Sequence, residues 1–166
     1  MTDDPRGVSP PIAAMMEGMR QRFETEHPLF GRLEFKTLRI ARGDIAVSLR
    51  VPDTFADGSS EDGSDGTNGG VFVHTGFLTI VLDSIFGMAT FLALDAPEPI
   101  ATINLKTDTL DRVPPGTRLT VEALCEGITD DVAIVRGRAM REDGNLVASA
   151  AATFMVGTRS AQVSRL

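Results

Sequence analysis

HTGFLTIVLDSIFGMATFLAL, residues 74 to 94, sets one carboxylate, Asp83, in a run that is otherwise apolar, small or hydroxylated. At helical pitch the run is apolar almost all the way round, so it predicts one long helix buried inside a domain. It ends where Asp95-Ala96-Pro97 begins, because proline cannot continue a helix. An ionised carboxylate removed from water costs several kcal/mol unless a partner or solvent compensates. Thr79, Asp83, Gly87 and Thr90 fall at steps of four, four and three and share one face. That stripe is either the exposed side of a core helix or a face turned toward a second subunit. It carries neither Lys nor Glu, the usual residues of a solvent stripe, and its small side chains admit a close neighbour. The expectation is a face against a second subunit, with Asp83 in a shielded cleft as base or nucleophile.

Outward from this helix the chain alternates in short segments. Ser9-Pro10-Pro11 reads as a helix start with Ser9 as N-cap. Ile12, Met15, Met16, Met19 and Phe23 follow at helical spacing as a packing stripe, ending near His27-Pro28. Residues 33–41 and 44–51 read as strands joined at Arg42-Gly43. Residues 52–70 are rich in Gly, Ser and Asp and read as a surface loop. Asp62, Asp65 and Asn68 lack the alternate-residue spacing of an EF-hand loop. Beyond the helix come strands over about 99–110, 117–128, 131–141 and 146–156. Pro115-Gly116 suits a type II turn and Asp143-Gly144 a hairpin turn. Short links make consecutive strands antiparallel neighbours. The expected fold is α+β, with a six-stranded antiparallel sheet wrapped around one long central helix and a short N-terminal helix. An N-terminal extension and helix would span 1–30, the main domain 31–157 and a tail 158–166.

Composition narrows the function. The 166 residues, 42% hydrophobic and 23% charged, suit one soluble domain with a real core. A net charge of -7, with no Trp and no Tyr, argues against nucleic acid, which needs basic surfaces and stacking rings. Thr, Ser and Asp within the apolar helix argue against a membrane span, and the acidic N-terminus has no apolar signal segment. A cytoplasmic location is expected. Cys125 has no Cys partner and reads as core within a strand. His27, which reads as surface, and His74 and Cys125 are the only nitrogen or sulfur ligands, a poor set for zinc, so no metal is expected. There is no phosphate-loop motif and no Gly-x-Ser-x-Gly around Ser84.

His74-Thr75-Gly76, then Asp83, then Gly87-Met88-Ala89 resemble the signature of hotdog-fold acyl-CoA thioesterases of the phenylacetate (PaaI-like) type, in the 4-hydroxybenzoyl-CoA thioesterase superfamily. The similarity continues through Ala101-Thr102-Ile103-Asn104-Leu105, Pro114-Pro115-Gly116 and the closing strand Leu146 to Val156, covering about residues 30–157. It implies the hotdog fold and homodimers, often paired into tetramers, with active sites at the dimer interface. It implies that Asp83 activates water or attacks the thioester carbonyl directly. Asn68 and Thr102 are the matches for groups that place nucleophile, water and thioester. Thr75, where the family has glycine, is the match for the backbone N–H that polarises the thioester oxygen, and the change leaves that N–H in place. The Gly76 N–H is its neighbour, and the helix N-terminus favours developing negative charge. His74 reads as a structural hydrogen-bonding group at the strand-to-helix junction.

Hydrolysis of an acyl-CoA to free acid and CoA is the function these residues predict, with no cofactor beyond the coenzyme A of the substrate. Enoyl-thioester hydration or dehydration, and a non-catalytic acyl-CoA-binding module, are the alternatives. Lys106, Arg112, Arg136, Arg138 and Arg159 are available for the CoA phosphates, though Arg138 suits a cross-strand pair with Glu122. The acyl preference is not legible.

Overall fold

The computed structural model describes residues 7–25, 30–57 and 71–157. Its centre is the expected long helix, α2, Thr75–Ala93. Its largest fully buried side chains are Phe77, Leu82, Ile85, Phe86 and Leu92. At about 1.5–3 kcal/mol each, they contribute on the order of 10 kcal/mol, which fixes the helix inside the molecule.

The wrapping sheet is built from β1 (Lys36–Ala41), β2 (Asp44–Arg50), β5 (Ile100–Thr109), β6 (Arg118–Thr129), β7 (Val132–Arg141) and β8 (Leu146–Val156). Its order is β1-β2-β6-β7-β8-β5, and every neighbouring pair is antiparallel. The remaining two strands, β3 (Ala56–Asp57) and β4 (Phe72–Val73), form a small antiparallel ribbon that joins the two ends of segment 58–70. The sequence shows no alternation over these short pieces, so the ribbon escaped the strand reading.

Turn chemistry closes the β1–β2 and β7–β8 hairpins at Gly43 and Gly144, with φ of +67° and +84°, the left-handed region where a side chain is costly. The β6–β7 turn places two aspartates there instead, Asp130 at 49° and Asp131 at 64°. Gly116, at φ +78°, closes no hairpin: β5 and β6, consecutive in the chain and expected to be neighbours, lie apart, β5 at the edge against β8 and β6 between β2 and β7. The first strand begins at Lys36 and not at 33, because Glu34 adopts φ 45° and the Leu33 carbonyl is taken by the Arg50 N–H. A left-handed residue breaks the pleat, so Leu33 enters the core from a loop.

The N-terminal helix, α1, spans Pro10–Thr25. Ser9 precedes it as expected, and its carbonyl accepts from Ala13 N–H, but its hydroxyl donates to the Leu94 carbonyl at 3.4 Å, tying α1 to the end of α2. Ile12 is fully buried, and Met15 and Met16 pack half-buried against the core. Met16 and Met19, with Phe35, Ile45, Met88 and Leu92, border a mostly apolar cavity of about 180 Å³. Cys125 is half-buried at the core's edge.

Candidate active site

Asp83 lies on α2, half-buried, and the Thr102 hydroxyl of β5 donates to its Oδ1 at 2.9 Å. A β-bulge makes this contact. On β5, Leu105 and Thr107 stand opposite Ala152 and Ala150, buried residues on the helix side of β8. Strict alternation from Leu105 would turn Thr102 outward. The register shift between Thr102 and Asn104 inserts Ile103 as an extra residue, and Thr102 instead stands opposite buried Phe154, facing the helix. The hydroxyl is thus aimed at the carboxylate by one residue that the sequence does not mark.

The polar stripe of α2 is not one continuous outward face. Thr79 is exposed, but Gly87 lies under Ile100 Cδ1 of β5 and Phe154 of β8, at 3.6 and 3.9 Å from where a Cβ would stand. Thr90 is fully buried, and its hydroxyl donates to the Phe86 carbonyl at 3.0 Å. The expected partner-facing stripe is therefore corrected at its C-terminal half, where the chain's own sheet covers it. Its open part is Thr79, Ile80, Asp83 and Ser84. There Ile80 is 47% exposed, and on β5 Ile103 is 52% exposed.

At the helix start, His74 is the N-cap, and its Nδ1 accepts the Gly76 N–H at 3.0 Å. The bond needs an unprotonated Nδ1, so the neutral ring carries its proton on Nε2. Gly76 has no room for a side chain, since a Cβ would stand 2.9 Å from that Nδ1. The Gly76 N–H is thus occupied, while the Thr75 N–H makes no hydrogen bond among the described residues. The Phe55 and Phe77 rings, 5.0 Å apart, and a bond from His74 N–H to the Phe55 carbonyl hold this corner. Asn68 lies outside the described residues, as do His27, Asp62, Asp65 and Arg159.

The candidate phosphate ligands sort by partner. Arg138 pairs with Glu122 across β6 and β7 at 2.9 Å, as the hairpin register predicts, and Arg136 pairs with Glu126 at 3.2 Å. Lys106 pairs with Asp108 at 2.8 Å. The Arg112 guanidinium lies over the Phe72 ring, 5.3 Å from its centroid. Among the described residues no group of three or more His, Cys, Asp or Glu is placed to hold a metal ion.

Comparison with known proteins bears on the fold that carries this site. Residues 70–148 match the Thioesterase superfamily. No curated protein matches the chain. Among solved structures, the Escherichia coli PaaI protein from the phenylacetic acid degradation operon is similar, with a TM-score of 0.70 at 14% identity, covering 90% of this chain and 95% of that one. A phenylacetic acid degradation-related protein of Ralstonia eutropha JMP134 gives 0.67 at 24% identity, covering 88% and 99%. A hypothetical thioesterase protein of Streptococcus pneumoniae TIGR4, solved with coenzyme A, gives 0.63 at 17% identity, covering 76% and 92%. The expected fold is therefore the observed one: the chain is a hotdog-fold protein, and its residues 70–148, the stretch that bears His74, Asp83 and Thr102, match the thioesterase superfamily.

Proposed function

We propose that the protein hydrolyses an acyl-CoA thioester, with Asp83 as base or nucleophile at a site completed by a second copy of the chain. The observation that carries this reading is the Asp83–Thr102 hydrogen bond on the open flank of α2. Thr102 donates to one carboxylate oxygen and holds the group oriented, and the other oxygen makes no hydrogen bond among the described residues. The hydroxyl's own lone pairs can accept from a water. That water loses a proton to Asp83 as its oxygen attacks the carbonyl carbon; the C–S bond then breaks, Asp83 returns the proton to the departing sulfur, and CoA leaves as the thiol.

The developing charge on the carbonyl oxygen needs a donor, and the Thr75 N–H at the helix N-terminus has no acceptor among the described residues. Thr75 and Asp83 are eight residues apart, about 12 Å of helical rise. One carbonyl does not span that distance. In the proposal, Asp83 and Thr102 of one protomer face Thr75 of the other. The geometry of β5 supports such a dimer. It is a ten-residue edge strand paired only with β8, and an edge of that length is a template for another chain. Ile103 on this strand and Ile80 on α2 are both exposed. The Gly76 N–H joins Thr75 only if His74 releases it. Among the described residues no carboxylate pairs with His74, the arrangement that hydration of an enoyl thioester would need.

A thiol-trapping assay over an acyl-CoA panel tests the reaction, and light scattering tests the assembly. Thiol release is expected, with Asp83→Asn lowering kcat roughly a hundredfold while the fold and dimer persist. Unchanged turnover in Asp83→Asn, or no thiol from any acyl-CoA, would overturn the reading.

A further inference from the structure

We infer that Arg112 is the anchor for the phosphate groups of the CoA moiety, and so sets the protein's preference for a phosphorylated thioester over a bare one. The inference rests on the acyl-CoA reading above. Coenzyme A is a polyanion, and this chain carries a net charge of -7, so the overall field repels the ligand. Binding then needs a local cation that is not already neutralised. Arg39, Arg42, Arg50, Arg118, Arg136, Arg138 and Arg141 all have carboxylate partners within 4 Å. Among the described residues, the Arg112 guanidinium has none. Its charge is exposed and is held over the face of Phe72. An aromatic face steadies a guanidinium without cancelling its charge and leaves its N–H fork free for a bidentate acceptor.

The platform beneath it is fixed on several sides. Leu110 and Asp111 N–H groups donate to the Val147 carbonyl of β8, and the Val73 N–H of β4 donates to the Val113 carbonyl. Arg141 bridges the Asp111 carboxylate and the Arg112 carbonyl. Phe72 and Val73 lead directly into His74 and Thr75, so the charge stands beside the start of α2, the end of the helix that the proposed reaction uses. Arg22, Arg32 and Lys36 lie on α1 and around β1, the sheet edge remote from β5, and have no such link to α2.

The test compares a phosphorylated and a phosphate-free form of one thioester. With acyl-CoA, Arg112→Gln should raise KM about tenfold at unchanged kcat, as expected for loss of a charge-assisted contact away from the reacting atoms. With the matching acyl-pantetheine, which lacks the phosphates, KM should not move. Arg112→Lys should recover part of the loss. Calorimetry with free CoA gives a readout independent of turnover, and its Kd should weaken about tenfold in Arg112→Gln. Equal effects on both thioesters, or an unchanged CoA Kd, would overturn the assignment. Should neither thioester be hydrolysed by the unaltered protein, the catalytic reading fails, and the CoA titration still decides Arg112.

Discussion

If Thr102 acts by orienting Asp83, its hydroxyl should matter only while the carboxylate is present. Thr102→Val removes the O–H and keeps the side chain's shape. The bond it deletes is 2.9 Å long and ends on an ionisable oxygen. Hydrogen bonds to charged groups contribute about 1.5–3 kcal/mol. Here Asp83 is half-buried and Thr102 is exposed, which places the value near the lower end. At 1.36 kcal/mol per decade, about 1.5 kcal/mol is roughly a tenfold loss in kcat. In an Asp83→Asn background the same substitution should cost no more than about threefold, so the double-mutant cycle should show roughly 0.7 kcal/mol or more of coupling. Thr102→Ser should stay near the unaltered rate. Steady-state thiol release on the best acyl-CoA of the panel measures all four corners, with a thermal melt to check that each variant folds. A tenfold loss in both backgrounds would make Thr102 an independent contributor. No loss in either would mean that the bond does not serve turnover.

Gly137 of β7 has no room for a methyl, because a Cβ there would meet the Glu122 carbonyl and stand 2.5 Å from the Phe86 ring. Both neighbours are fixed, so Gly137→Ala should cost about 1–3 kcal/mol and lower Tm by roughly 3–9 °C; a Tm within a degree would refute the packing argument. Asp131 holds φ 64° in the β6–β7 turn, where glycine is at ease, and Asp131→Gly should raise stability by about 0.5–1 kcal/mol in a denaturant titration. A fall in stability would show that the aspartate side chain supports the turn. Burial, with a smaller push from Glu126, raises the Cys125 thiol above its usual range. The folded chain therefore holds that proton more tightly than the unfolded chain, and this contribution is full below about pH 8.5 and is lost as pH rises through the folded value. Between about pH 8 and 10 the unaltered protein should lose more stability than Cys125→Ala, and parallel curves would contradict the shift.

What the sequence shows of this protein, and what it hides, follows from how each feature is encoded. The long helix is visible because its apolar side chains recur all round it and proline ends it. The β1–β2 and β7–β8 hairpins are visible because Gly43 and Gly144 are glycines for a backbone reason. Asp83 is visible because a lone acid in an apolar helix demands an explanation, and Glu122–Arg138 because the turn fixes the register. The aiming of Thr102 is not encoded in this way. It depends on where β5 bulges against β8, a property of two strands whose paired residues Thr102 and Phe154 lie far apart in the chain and that no local pattern links. Ile103 looks in the sequence like any apolar strand residue, and counting by twos from Leu105 places Thr102 on the wrong side of the sheet. The same reason explains why the small-residue stripe misled. Periodicity shows that Gly87 and Thr90 share a face with Asp83, but whether β5 and β8 or a second chain covers that face depends on how far the sheet curls. The curl reaches Gly87 and Thr90 and stops short of Ile80, so the one acid on the helix lies at the margin, fixed by its own edge strand and still open to a partner.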